Sequence, residues 1–134
     1  MDTEKKKLVY ISHPSSGLEE NTLDVEYIVK QLYDNEELYN NYCFISPIHC
    51  FGFMYNTTEY TKGLSFCTDL LKHCDIMLVF GDWTESVGCK AEVDMCNELG
   101  IPVLFMGKSN TLQSRIRFGL AKKIKNTISK YKEQ

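Results

Sequence analysis

Apolar residues recur along this chain with two alternating periods. Residues 7–12, 42–45, 76–80 and 101–106 are short apolar runs flanked by polar or turn-forming residues, and each predicts a strand. Between them the spacing changes to three or four. Val25, Ile28, Val29 and Leu32 make one such stripe, and Leu64, Cys67, Leu71 and Cys74 a second. Ala91, Met95 and Leu99 make a third, and Leu112, Ile116, Leu120, Ile124 and Ile128 a fourth. These stripes predict helices. Asn21 or Thr22 is the expected N-cap of the first helix, and Gly100 the glycine that ends the third. Residues 46–60 carry Pro47, Gly52 and several aromatic rings without a clear period, so an ordered loop is expected there. So long a loop in a compact domain points to function.

Strand–helix alternation predicts an α/β fold in one domain spanning residues 1–134, with helices on both faces of a parallel sheet. Right-handed crossovers predict four or five strands in the order 2-1-3-4. Ligands of such sheets bind past the carboxyl ends of the strands. Three loops should meet there. The first is Ser12, His13, Pro14, Ser15, Ser16 and Gly17. The second runs over residues 46–55 and includes His49. The third, residues 82–88, holds Asp82, Trp83, Ser86 and Gly88 and opens a helix. Free N–H groups at a helix start suit an anion. Together the loops offer hydroxyls, imidazoles and aromatic rings, a mixture that suits a ligand with a flat apolar part and a polar or anionic part.

Composition narrows the classes. The chain has 134 residues, 43% hydrophobic and 25% charged, with a net charge of −3. No run of 18 apolar residues occurs, so no membrane span is expected. Residues 2–7 are charged and lack the apolar core of a signal peptide, so a cytoplasmic protein is expected. The net charge does not point to nucleic acid as a partner. A basic stretch over residues 111–134 reads as a solvated helix face with cations near its end. Six cysteines without a C-x-x-C pair are expected to be reduced thiols in the packing. The spacing of His49, Cys50, His73 and Cys74 fits no zinc pattern, so no metal is expected. The glycine-rich dinucleotide fingerprint, the phosphate-loop lysine and the serine-hydrolase elbow do not occur, which weakens those classes and leaves no cofactor expected.

Glu92 is the candidate that remains. It lies about one and a half turns into the third helix, on a face shared with Gly88, Cys89, Cys96 and Leu99, three, four or seven positions away. A carboxylate in apolar surroundings is a candidate functional group.

Several pieces of the chain resemble the nucleoside 2-deoxyribosyltransferase-like superfamily. They are Val9-Tyr10-Ile11-Ser12-His13-Pro14, Leu70-Leu71-Lys72-His73-Cys74-Asp75, Gly81-Asp82-Trp83, Ser86-Val87-Gly88-Cys89-Lys90-Ala91-Glu92, and Leu99-Gly100-Ile101-Pro102-Val103. The resemblance covers residues 7–106 and is closest to small bacterial and phage members. It implies a flavodoxin-like Rossmannoid fold and action on the N-glycosidic bond of a nucleoside or nucleotide. By the resemblance, Glu92 is the nucleophile and Tyr10 positions it or the sugar. Ser86 and Gly88 hold the 5′ end, with Ser12, His13, Asp82, Trp83, His49 and Cys67 around the substrate. Transferases of the family carry an Asp six residues before the Glu to grip a free 5′-hydroxyl. Ser86 stands there, as in relatives that hydrolyse 5′-monophosphates. Catalytic members also have an acid that protonates the departing base, and Cys67 occupies its place, with Asp69 two residues on. The expected activity is hydrolysis or transfer at the glycosidic bond of a (deoxy)nucleoside 5′-monophosphate. The alternative is a non-catalytic module that senses or sequesters a nucleotide, a signalling one in a phage–host setting. A homo-oligomer, dimer or higher, is expected.

Overall fold

The computed structural model describes residues 5–14, 19–52, 60–106, 126 and 128. Among these residues there are four strands, β1 (Lys7–Ser12), β2 (Tyr42–Ile45), β3 (Ile76–Val79) and β4 (Val103–Phe105). All pairings are parallel, in the order β2-β1-β3-β4. Strands covered on both faces need apolar side chains on both, and β3 is accordingly buried along its whole length. The apolar runs read from sequence continue past the ladders of β3 and β4. Phe80 N–H donates to the Ser12 carbonyl and Met106 N–H to the Val79 carbonyl; both side chains are buried.

Among the described residues five helices connect the strands: α1 (Glu19–Tyr33), α2 (Glu36–Asn41), α3 (Pro47–Phe51), α4 (Tyr60–Leu71) and α5 (Val87–Leu99). Helix α1 starts at Glu19, so Asn21 and Thr22 lie inside it and do not cap it. Glu19 and Glu20 occupy its first turn, where the helix dipole favours anions. Helix α2 has no long apolar stripe. It is set by its cap, the Asn35 side chain accepting from Leu38 N–H at 3.1 Å. Residues 47–51, expected to be loop, form α3 instead, because Pro47 in its first turn is already shaped for a helix. The Tyr33 hydroxyl meets the outward backbone of the edge strand β2, taking Phe44 N–H at 3.2 Å.

Two cores result. On the α1 side, Val9, Ile11, Val25, Ile28, Leu32, Phe44, Leu78 and Phe80 pack together with Ile128. Of the fourth predicted stripe only Ile128 is described, helical and buried; Leu112, Ile116, Leu120 and Ile124 lie outside the described residues. On the other side, Tyr10, Leu71, Cys74, Met77, Val79, Val93 and Cys96 pack together. Each large apolar side chain so buried contributes roughly 1.5–3 kcal/mol.

The buried face of α5 differs from the stripe read in the sequence. Its buried residues are Cys89, Glu92, Val93 and Cys96, whereas Leu99 is half exposed. The apolar count alone misplaced the face by one position, because a carboxylate occupies part of it. Among the described residues no helix is long and apolar enough to cross a membrane.

Candidate functional site

Side chains alternate across a strand. In β1 this sends Val9 and Ile11 into the α1-side core and Tyr10 and Ser12 toward the opposite face. Both are fully buried. The chain leaves β3 through Gly81, whose φ of +73° favours glycine. A Cβ there would stand 3.3 Å from Pro14 Cδ, so the first and third loops pass each other closely at this point. Asp82 is exposed and accepts the Thr84 hydroxyl at 3.0 Å. A 3-10 turn over Trp83–Glu85 follows. Trp83 packs on the second core and against the Phe105 ring, with centroids 5.3 Å apart. Ser86 then caps α5, its Oγ accepting Cys89 N–H at 3.2 Å.

That cap fixes the phase of α5 and aims Glu92 at β1. Tyr10 Oη–H donates to Glu92 Oε2, and Ser12 Oγ lies 2.9 Å from Oε1. Glu92 is 5% exposed. Burial pushes its carboxyl up to about 7, although the Tyr10 and Ser12 hydroxyls favour the anion and pull the other way. Among the described residues no lysine or arginine pairs with it; its hydrogen-bond partners are the two hydroxyls. Cys89 Sγ lies 3.3 Å from Ser12 Oγ. Ser12 has one proton, so a thiol that donates to Ser12 leaves the hydroxyl proton for Glu92. Burial pushes the Cys89 thiol up, which keeps it a donor.

Tyr10, Ser12 and Glu92 are therefore in direct contact, and Ser86 and Gly88 stand on the turn that opens the same helix. Cys89 belongs to the contact as well. Sequence reading placed it on the Glu92 face but gave it no role; its signal was the i, i+3 spacing. Cys67 is buried on α4. It lies one turn past Leu64, whose Cδ1 is 3.8 Å from a Cβ built on Gly88, so its side of α4 faces α5. Asp69 is on the solvent side, 3.5 Å from Lys72. His13 has both ring nitrogens engaged, Nδ1 with the Pro14 carbonyl at 2.7 Å and Nε2 with Asp24 of α1 at 2.6 Å. No pattern in the sequence marked Asp24 as its partner. His49 is exposed on α3, with Nδ1 at 2.7 Å from Ser46 Oγ and Nε2 at 3.7 Å from Glu26. Of the second loop, residues 53–55 lie outside the described residues, as do residues 15–17 of the first. All six cysteines are free thiols, and no three His, Cys, Asp or Glu side chains among the described residues are grouped to hold a metal.

Residues 7–106 match the model of a family described as a domain of unknown function, DUF7768. No curated protein matches the chain.

Proposed function

The chain belongs to the DUF7768 family, and we propose that it binds a nucleotide and acts on the N-glycosidic bond of a (deoxy)nucleoside 5′-monophosphate. One observation carries the reading: a buried carboxylate, Glu92, held by the Tyr10 and Ser12 hydroxyls beside the carboxyl end of β1. The resemblance of the surrounding motifs to the nucleoside 2-deoxyribosyltransferase-like superfamily points the same way. In this reading a Glu92 oxygen attacks C1′, the C1′–N bond breaks, and a glycosyl ester forms. Water or a second base then releases the carboxylate, as in retaining glycosidases. The two hydroxyls orient the carboxylate and hold part of its charge until attack. A carboxyl near 7 is substantially ionised at neutral pH.

The 5′-phosphate is assigned to the start of α5. There the Val87 and Gly88 N–H groups precede the capped Cys89 N–H, and Ser86 Oγ–H keeps a proton to donate while its oxygen serves as cap. A carboxylate at position 86 would repel that phosphate.

A second reading, a non-catalytic module that senses or sequesters the nucleotide, is favoured by a specific observation. Cys67, which by the resemblance to the nucleoside 2-deoxyribosyltransferase-like superfamily stands where catalytic members carry an acid, is a buried thiol, and Asp69 faces solvent. Incubation with a panel of nucleosides and their 5′-monophosphates separates the readings. Chromatography reads free base and calorimetry reads affinity. Base release by the native chain, lost in Glu92→Gln with affinity kept, supports the glycosidase. Tight binding of phosphorylated ligand without base release supports the module. Tighter binding of nucleosides than of their monophosphates refutes the phosphate assignment.

A further inference from the structure

Breaking a C1′–N bond leaves an electron pair on the base nitrogen. A neutral purine or pyrimidine takes up a proton there as it departs, and an enzyme that supplies it gains about 10²–10⁴ in rate. Among the described residues, the side chains near the Glu92 end of the sheet that could supply it are turned to solvent or committed elsewhere, Glu85 being exposed on the 3-10 turn. Asp69 points to solvent beside Lys72. Both nitrogens of His13 are engaged, one of them by Asp24. His49 is exposed between Ser46 and Glu26. Asp82 is exposed and holds the Thr84 hydroxyl. On the α5-facing side of α4 stands Cys67, and a thiol is a far weaker acid than a carboxylic acid.

A second observation concerns charge. Glu92 is buried, yet among the described residues its carboxylate is met by two neutral hydroxyls and by no cation. A buried anion without a counter-charge is costly, and a ligand that brings a positive charge against it removes that cost. Both observations are met by one kind of substrate. Resting on the glycosidase reading above, we propose that the substrate is a nucleoside 5′-monophosphate whose base is already a cation, an N-glycosylpyridinium or an N7-alkylated purine.

The step balances without an acid. A Glu92 carboxylate oxygen forms a bond to C1′ as the C1′–N bond breaks. The bonding pair returns to the ring nitrogen and cancels its positive charge, so the base leaves neutral with no proton transferred. Water then attacks C1′, the ester bond to Glu92 breaks, and one proton goes to solvent. The positive charge faces the carboxylate before the reaction and spreads onto the sugar during it, so the same buried anion attracts both the substrate and the transition state.

The test uses matched pairs that differ in base charge. The intact chain is incubated at pH 7 with nicotinamide mononucleotide and its reduced dihydro form. A parallel incubation uses 7-methylguanosine 5′-monophosphate and guanosine 5′-monophosphate. Free base is followed by chromatography, with spontaneous release subtracted. The expected result is that the cationic member of each pair is cleaved at least about 10²-fold faster than its neutral twin, the lower end of what a general acid supplies. Glu92→Gln should abolish both activities. Neutral members cleaved as fast as their cationic twins would overturn this inference and leave the glycosidase reading standing. Release from no member of either pair, with binding shown by calorimetry, would overturn the glycosidase reading and this inference with it.

Discussion

The two faces of β1 perform different work from one stretch of backbone. Val9 and Ile11 enter a largely apolar core against α1, while Tyr10 and Ser12, each one residue along, meet Glu92 of α5. The first face is built to exclude water, and tyrosine hydroxyls such as that of Tyr33, bonded to the Phe44 backbone, are the polar groups packed with it. The second brings a carboxylate into the packing, and two hydroxyls offset part of its desolvation. One side therefore stores stability, and the other gives some up to hold a carboxylate in place. Because strand periodicity is two, a one-residue slip of β1 would exchange the faces and destroy both.

The sharpest way to break this contrast is Glu92→Gln. If the carboxylate is a nucleophile, turnover should fall by a factor on the order of 10⁴ or more, as when other enzymes lose a nucleophile. The fold should respond in the opposite direction. Glu92 has its carboxyl raised from 4.5 to about 7 in the folded chain. Below pH 4.5 it is protonated in both states and costs nothing. As pH rises to 7 the unfolded chain ionises and the folded chain resists, so stability falls by about 3 kcal/mol through this group. Glu92→Gln should lack that fall. Urea unfolding of both chains at pH 5 and pH 8 measures it; a gap between them that does not grow with pH would contradict the burial of the carboxylate.

On the apolar face, Ile28→Ala should cost about 2–5 kcal/mol in unfolding, as other large-to-small core changes do. It should leave the Glu92 titration in place, because Ile28 sits across the sheet from it. A carbon-13 titration of the Glu92 carboxyl that moves with this variant would show that the two faces are coupled.

The contrast also explains what could be read in advance. All four strands and their order were legible, because apolar runs, alternation with helical stripes and right-handed crossovers leave few arrangements. That the end of β1 lies beside the start of α5 was legible for the same reason, and the resemblance singled out Tyr10, Ser12 and Glu92 there. Helix α2 was not, because one side-chain cap at Asn35 sets it and no stripe marks so short a helix. Helix α3 was hidden behind Pro47, which reads equally as a loop residue. The buried face of α5 was misjudged at Leu99 because apolar spacing alone selects Ala91, Met95 and Leu99, whereas the face that is buried carries Glu92, whose hydroxyl partners make the inward position tolerable. The pairing of His13 with Asp24 joins a loop to a helix through two residues with no periodic relation.

Tyr10→Phe removes one of the two hydroxyls and tests how the second face tolerates its charge. A hydrogen bond to a charged group contributes roughly 1.5–3 kcal/mol. Tyr10 favours the anion, so its loss should raise the Glu92 carboxyl further, by about one to two pH units on that scale. The acid limb of a kcat/KM profile should move to higher pH by the same amount. The ring remains and keeps filling the core, so the fold should stay cooperative. An unmoved limb would mean that Ser12 alone fixes the ionisation of Glu92.

Asp69→Asn should have the smallest effect, and that smallness is informative. Asp69 is the carboxylic acid nearest in sequence to Cys67, the thiol that the proposed glycosidase reading sets in the place of an acid. The structure turns it outward, with its side chain 64% exposed and its oxygen 3.5 Å from Lys72 in an i, i+3 pair. Such surface pairs contribute between nothing and about 1 kcal/mol, so the variant should unfold within about 0.5 kcal/mol of the parent. Base release, where it occurs, should be unchanged, because a group on the solvent side of α4 cannot deliver a proton across the helix to a base held against α5. The variant changes a charge without changing shape, so a loss of turnover could not be ascribed to misfolding. A fall of ten-fold or more in release of a neutral base would mean that α4 turns in the complex and that Asp69 is the acid. The site would then extend across the face of α4 that now meets water.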